Sequence, residues 1–346
     1  MLAVDIYNFD APIAKASDAA RQGEAIGFDA MWFPEAKHNP YLSIALASQS
    51  CEQMLLGTSV SLAFPRSPMV TAQIAWDLAA ASNGRFILGL GTQVRAHIER
   101  RFSAEFDRPV PRIKEYIAAL RAIFRAFQGE EKLSFKGDFY THTLLTDFFS
   151  AGPIDHPVIP IYVAGVNRNL AIMAGEVCDG FHVHPLHSRD YLQKFLLPAI
   201  AEGASRTGRS VNDIALACPV FMMVGDNEED LARQRAEVRR QMAFYGTTPT
   251  YDVVFEQSGF DGVGETLRRC MARRDFEALD ATITDEMLDV FTITATWDDL
   301  PAALIDRYDG VVQRIFPYAA QGVFTGTGES RARWADVVSR VKAGAT

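Results

Sequence analysis

The chain has 346 residues, 48% of them hydrophobic, which is enough for the large core of a single α/β barrel. Its 34 Lys and Arg against 43 Asp and Glu leave a formal charge of −9, a balance that argues against nucleic acid as a partner. There is no run of 18 apolar residues to span a membrane and no secretory pattern at the N-terminus, and Cys51, Cys178, Cys218 and Cys270 are widely spaced. The expectation is a soluble cytoplasmic protein with reduced thiols.

In chain order, the first apolar run is Leu2–Tyr7, followed by a helix over Ala14–Ile26 that stops at Gly27. A second strand at Ala30–Phe33 leads to a helix over Tyr41–Cys51. A third at Leu55–Leu62 leads to a helix over Met69–Ala81. Ser82-Asn83-Gly84 then introduces a fourth strand, Arg85–Leu90. Each strand is a short, nearly continuous apolar run, as a parallel strand buried on both faces requires. The fourth unit is longer. It adds an amphipathic helix, Arg112–Gln128, and a hairpin turning at Lys136-Gly137-Asp138. The repeat resumes with strands at Val158–Val163, Gly180–His184 and Asp213–Val224, with helices near Leu170–Ala174 and Ser188–Ala201, and ends with Val311–Phe316 and a closing helix over Ser330–Lys342.

Eight βα units predict an α/β fold, a (β/α)8 TIM barrel in one domain over 1–346, with insertions after strands four and seven. The second insertion, approximately 225–310, reads as helices over the barrel mouth. The competing doubly wound sheet needs a glycine fingerprint after the first strand, where this chain has Asp5-Ile6-Tyr7-Asn8-Phe9-Asp10.

In a barrel the site lies at the C-terminal ends of the strands. That selects Glu35, Lys37 and His38 after strand two as candidate proton-handling groups. The small residues of Ala164-Gly165-Val166-Asn167 fit either a phosphate-binding turn or an ordinary tight turn. His184 and His187 either pair with a phosphate or line the surface. The spacing His182-x-His184-x-x-His187 permits chelation, but no carboxylate completes the set and no metal is expected. Arg95, Arg100, Arg101, Arg108 and Arg112 fall within eighteen residues; they form either a solvated face or a site for an anionic tail. No nucleophile motif is present, so a redox cofactor is the economical source of reactivity.

The stretches GFDAMWFPEAKHNPYL, LLGTSVSLAFPRSPMVTAQ, NGRFILGLGTQVRAHIERRF and AGVNRNLAIMAGEVCDGFHVHP resemble the bacterial luciferase-like monooxygenases, and within them the F420-dependent oxidoreductases; FYGTTPTYDVVFE is similar to one sub-branch. The resemblance implies a cofactor lying across the barrel mouth. It implies a cis peptide at Ser59–Val60 behind the deazaflavin ring, with Gly91, Thr92 and Gln93 beside the ring and its side chain. It puts Glu35 near the ring, and Ala164, Gly165, Val166, His184 and His187 around the cofactor phosphate.

Two departures matter. Ala36 stands where the F420-dependent sugar-phosphate dehydrogenases carry a catalytic histidine, and Val94 where they carry a glutamate. The expected activity is hydride transfer between F420 and a small apolar or unsaturated organic substrate, in a homo-oligomer such as a dimer. The alternatives are an FMN-dependent monooxygenase served by a separate flavin reductase, and a barrel that binds cofactor without turnover.

Overall fold

The structure, a computed structural model, describes residues 2–9, 12–318 and 328–344. Eight parallel strands form the barrel. β1 runs in two segments, Ala3–Val4 and Ile6–Tyr7, followed by β2 at Ala30–Phe33. β3 is also split, into Leu55–Thr58 and Ser61–Leu62. Next come β4 at Phe86–Gly91, β5 at Ile161–Ala164, β6 at Gly180–His182, β7 at Ala215–Val224 and β8 at Arg314–Tyr318. The two halves of β1 close the ring: Ala3 and Val4 pair with Arg314 and Ile315, while Ile6 and Tyr7 pair with Met31 and Trp32.

Alternation along the strands divides the core in two. Ala30, Trp32, Ile87, Tyr162, Ala217 and Phe316 fill the lumen. Their neighbours Met31, Phe86, Ile161, Leu216 and Ile315 face outward and join the helices in the larger core. Among those helices are Ala16–Ile26, Pro40–Ser48, Pro68–Ala81, Pro109–Gln128, Arg168–Val177 and Leu197–Arg206. Side-chain caps fix several starts. Asn39 accepts from the Tyr41 N–H, Ser67 from Val70 and Asn167 from Leu170, with proline in the first turn of the first two helices.

The third strand was expected over Leu55–Leu62, with the resemblance implying a bulge and a cis bond at Ser59–Val60 within it. Three steps along β4, from Ile87 to Leu90, face four along β3, from Gly57 to Ser61. That is a bulge of one residue, and the Ser59–Val60 bond inside it is cis. Thr58 takes over the missing ladder bonds: its Oγ1 donates to the Gly89 carbonyl (2.6 Å) and accepts from the Gly89 N–H (2.8 Å). Gly89 allows this close approach, because a Cβ there would lie 1.9 Å from the Thr58 carbonyl oxygen.

Other expected boundaries also move. β6 stops at His182, so His184 lies past the strand, and the start of the arginine-rich stretch after β4 is a helix, Arg95–Arg101. The expected hairpin forms from Phe135–Lys136 and Thr141–His142; the Glu115 carboxylate accepts from the N–H groups of Asp138, Phe139 and Tyr140. Between β7 and β8 the insertion holds helices that include Glu228–Gly246, Val263–Arg273 and Leu300–Tyr308. It also holds an unexpected strand, Thr292–Ala295, parallel to the far half of β7. Phe221 pairs with both Tyr318 and Thr292, so this strand lies on the edge of β7 opposite β8, beyond the point where β6 ends. No helix among the described residues is long and apolar enough to cross a membrane.

At the opposite end of the barrel, Glu24 ties its helix to the turn before β3. Its carboxylate accepts from the N–H groups of Glu52, Gln53 and Met54 at 2.6–3.0 Å. Burial raises its pKa, but these bonds outweigh that and hold it below the usual value. A lowered folded pKa contributes stability above the unfolded value of about 4.3, and that contribution is lost as pH falls through the folded value. Glu24→Gln should therefore flatten the fall of the melting temperature on acidification below about pH 5. Parallel melting curves of the two proteins check this, and an unchanged acid slope would refute the assignment.

Candidate active site

A cavity of about 340 Å3 opens at the C-terminal ends of the strands. Its walls come from Tyr7 of β1, Ser59 and Val60 of the bulge, Gly91–Val94 after β4, Ala164–Asn167 after β5, His182–Pro185 after β6, and Phe316 and Tyr318 of β8. Thr250 and Tyr251 of the insertion complete it. Among the described residues that line it, none is Asp, Glu, Lys or Arg.

The bulge forms one wall. Tyr7 Oη donates to the Ser59 carbonyl (2.8 Å), and Val60 packs so closely on Gly91 that a Cβ there would lie 2.5 Å from Val60 Cγ2. Gly165 performs the same service for Leu170, whose N–H is capped by Asn167. The turn therefore leads directly into the N-terminus of helix Arg168–Val177, where unpaired amides favour an anion.

Burial pushes the pKa of His182 and His184 down to about 3 and that of His187 to about 4, so all three imidazoles are neutral near pH 7. His184 Nδ1 accepts from the Leu186 N–H (3.2 Å), which leaves the proton on Nε2, and its ring lies against Tyr251 and Tyr245 with centroids 4.3 and 4.8 Å away. His182 stands edge-on to Trp32 at 4.7 Å, and its buried Nε2 has no hydrogen-bond partner among the described residues.

Of the residues expected in the site, Ser59, Val60, Gly91, Thr92, Gln93, Ala164, Gly165, Val166 and His184 line the cavity. Glu35, Lys37, His38 and His187 do not. Lys37 and His38 are exposed on a small neighbouring pocket with Asn8 and Ser43. His187 faces the outer layer: Nδ1 lies 2.8 Å from the His184 carbonyl, and Nε2 lies 3.0 Å from Tyr308 Oη and 3.3 Å from Cys218 Sγ.

Glu35 is committed to structure. Its carboxylate takes both Arg66 Nη atoms (2.6 and 2.9 Å) and the Leu62 N–H (2.8 Å), with side chains only 7% and 16% exposed. Its own N–H donates to the Val60 carbonyl (3.2 Å), so the residue braces the bulge on both sides.

Sequence reasoning missed Phe316, Tyr318, Thr250 and Tyr251. Phe316 and Tyr318 were accessible in principle, because they share a strand face with Arg314 of the lumen. Thr250 and Tyr251 lie in the stretch FYGTTPTYDVVFE, whose resemblance to one sub-branch marked the segment but gave neither residue a role. The arginines divide. Arg112 is held by Tyr140 Oη (3.0 Å) and the Glu105 carbonyl (2.8 Å), and Arg108 pairs with Asp107 (3.2 Å). Arg101 donates to the Ala36 carbonyl, and Arg95 pairs with Glu99 (2.7 Å) on the exposed helix that begins just past Val94. Among the described residues there is no His, Cys, Asp and Glu group able to hold a metal.

Comparison with known proteins agrees with this fold. The profile of the family described as luciferase-like monooxygenase matches residues 5–314. The uncharacterized protein Rv1360 of Mycobacterium tuberculosis H37Rv is 41% identical over 305 residues, covering 88% of this chain and 90% of that one. The 5,10-methylenetetrahydromethanopterin reductase of Methanolobus tindarius is 29% identical over 307 residues, covering 87% and 89%. The solved coenzyme F420-dependent tetrahydromethanopterin reductase of Methanopyrus kandleri superposes with a TM-score of 0.78 at 19% identity, over 100% of this chain and 99% of that one.

Removing one member of a buried ion pair strands the other, which costs about 3–5 kcal/mol, whereas replacing both by apolar groups costs much less. Arg66→Met should therefore destabilise the fold by about that amount, and the double variant Glu35→Met/Arg66→Met should recover part of the loss. Urea unfolding of the three proteins measures both steps; a double variant as unstable as the sum of its parts would contradict a brace built on this pair.

Proposed function

This chain belongs to the luciferase-like monooxygenase family, and we propose that it is an oxidoreductase using coenzyme F420 on a small, uncharged organic substrate. The observation that carries the choice of cofactor is the juxtaposition of a cavity without charged side chains and an exposed arginine helix. Helix Arg95–Arg101 starts one residue past Val94 of the cavity wall, with Arg95 and Arg100 at the surface. A cofactor with an apolar reactive ring and an acidic tail fits that division. The F420-dependent enzyme among its relatives supports the same reading.

The residues present fit such a group. The bulge offers the Ser59–Val60 backbone as one wall, with Gly91 leaving room beside it. The turn Ala164–Asn167 and the amides that follow would hold a phosphate, with the Nε2–H of neutral His184 as a further donor. Bound there, the deazaflavin would supply hydride transfer. The protein would position the substrate, exclude water and keep net charge away from the reacting atoms. Glu35, paired with Arg66, would fix the bulge and leave proton handling to other groups. Ala36, Val94 and the neutral walls favour an apolar or unsaturated substrate over a sugar phosphate. We also propose a homo-oligomer, with the exposed side chains of Ile13, Leu42, Leu46 and Val70 as apolar surface for a partner copy to cover.

Equilibrium titration with F420 and FMN, oxidised and reduced, tests the cofactor. F420 should bind at least about tenfold more tightly than FMN, and Arg95→Ala/Arg100→Ala should weaken F420 about fivefold to tenfold at low salt, a difference that shrinks as salt rises. Preferential binding of reduced FMN would instead identify a monooxygenase that needs a flavin reductase.

A further inference from the structure

Three residues, two from one helix and one from the end of a distant strand, form a hydrogen-bonded row ending at the cavity. Gln241 and Tyr245 lie one turn apart on helix Glu228–Gly246, and Tyr318 ends β8. Gln241 Nε2 donates to Tyr245 Oη (3.1 Å), and Tyr245 Oη lies 2.6 Å from Tyr318 Oη. Of the two tyrosines, only Tyr318 lines the cavity. Its ring is fixed by Tyr7 and Phe221, with centroids 5.7 and 5.4 Å away.

A phenol carries one proton to donate. With Gln241 already donating to Tyr245, either polarity of the phenol pair leaves one hydroxyl proton without an acceptor among the described residues. If Tyr318 donates to Tyr245, the idle proton is on Tyr245, away from the cavity and among the rings of His184 and Tyr251. If Tyr245 donates to Tyr318, each donor polarises the next, and the idle proton is on Tyr318, at the cavity. The second polarity lets a ligand satisfy the row, because a desolvated donor gains most from an acceptor brought to it.

We propose that Tyr318 Oη is the hydrogen-bond donor that recognises the substrate, that Gln241 and Tyr245 set its direction, and that the substrate is a carbonyl compound whose oxygen docks on it. This rests on reading the cavity as a hydride-transfer site. Hydride addition to a carbonyl carbon moves the π pair onto the oxygen, so a donor fixed there binds the transition state more tightly than the ground state. A simple alkene brings no acceptor and would leave the hydroxyl unpaired, which disfavours it against a carbonyl of the same shape. Burial raises the Tyr318 pKa far above the working range, so the phenol remains a donor throughout.

The test uses acetophenone labelled with 13C at its carbonyl, bound to the full chain and followed by isotope-edited infrared difference spectroscopy, with F420 affinity measured on the same samples. The bound carbonyl band should lie below its position in hydrocarbon solvent. Tyr318→Phe should abolish that shift and weaken acetophenone about threefold to tenfold, a larger loss than it causes in F420 affinity. Gln241→Glu replaces the amide donor with an acceptor and so reverses the row. It should abolish the shift with both tyrosines in place, which a merely structural role for Gln241 would not do, and it keeps the proposal falsifiable if the phenylalanine variant does not fold. No saturable acetophenone binding, or a shift unchanged in either variant, overturns the proposal. A shifted band in a protein that does not bind F420 leaves the row standing and overturns the cofactor reading instead.

Discussion

The barrel depends on how its first strand meets its last, and one buried ion pair fixes that seam. Asp5 sits at the break in β1, fully buried. Its carboxylate takes Arg314 Nε (2.8 Å) and Nη2 (2.7 Å) from β8, and Trp32 Nε1 (2.8 Å) from β2. Three strands are thus joined at one carboxylate across 309 residues of chain. Apolar packing alone tolerates sliding, but a one-residue slip of β1 would carry Asp5 out of the lumen and leave Arg314 unpaired. The site inherits this register. Tyr7 lies two residues past Asp5, and Phe316 and Tyr318 lie two and four past Arg314, so the strand faces that carry the ion pair also carry the cavity wall.

The distribution of charge follows one rule from floor to rim. Asp5 and Arg314 neutralise one another beneath the cavity, with Trp32 in the lumen between, and Glu35 and Arg66 do so outside the bulge. The walls keep neutral imidazoles, phenols and backbone amides, and arginines appear on the exposed helix past Val94. In such an interior a hydrogen bond is stronger than in water, and an unpaired group costs more. Direction within a polar row, rather than net charge, then decides what the cavity accepts.

The sequence carried the architecture in its local patterns. Apolar runs of strand length recurring between capped helices predict eight parallel strands, and the rule that barrel sites lie at strand ends selects Gly91–Gln93 and Ala164–Val166. What local patterns cannot carry is pairing at a distance. Glu35 reads as an acid at a strand end until Arg66, on another unit, is seen to occupy it. His182, His184 and His187 read as one motif. Because the strand ends at His182, alternation no longer governs the residues beyond it, and His187 turns toward Tyr308 instead of the cavity. The segment Thr292–Ala295 lies within a mostly helical stretch, and only its pairing with the long β7 makes it a strand.

The insertion between β7 and β8 explains how a common barrel acquires a particular pocket. β7 is ten residues long, and its outer half extends past the ring, where the added strand pairs with it. That extension anchors the segment from which Thr250 and Tyr251 reach the mouth and Tyr245 reaches Tyr318 behind it. Tyr251 covers His184, and Tyr245 meets Tyr318 at the end of β8. The barrel strands supply a floor and walls whose register the Asp5–Arg314 pair holds, while the insertion supplies the groups that orient the last hydroxyl. Changes in the insertion can therefore redirect the polar row without disturbing the seam, because the two share no residue except through the strand that carries Arg314 and Tyr318 together.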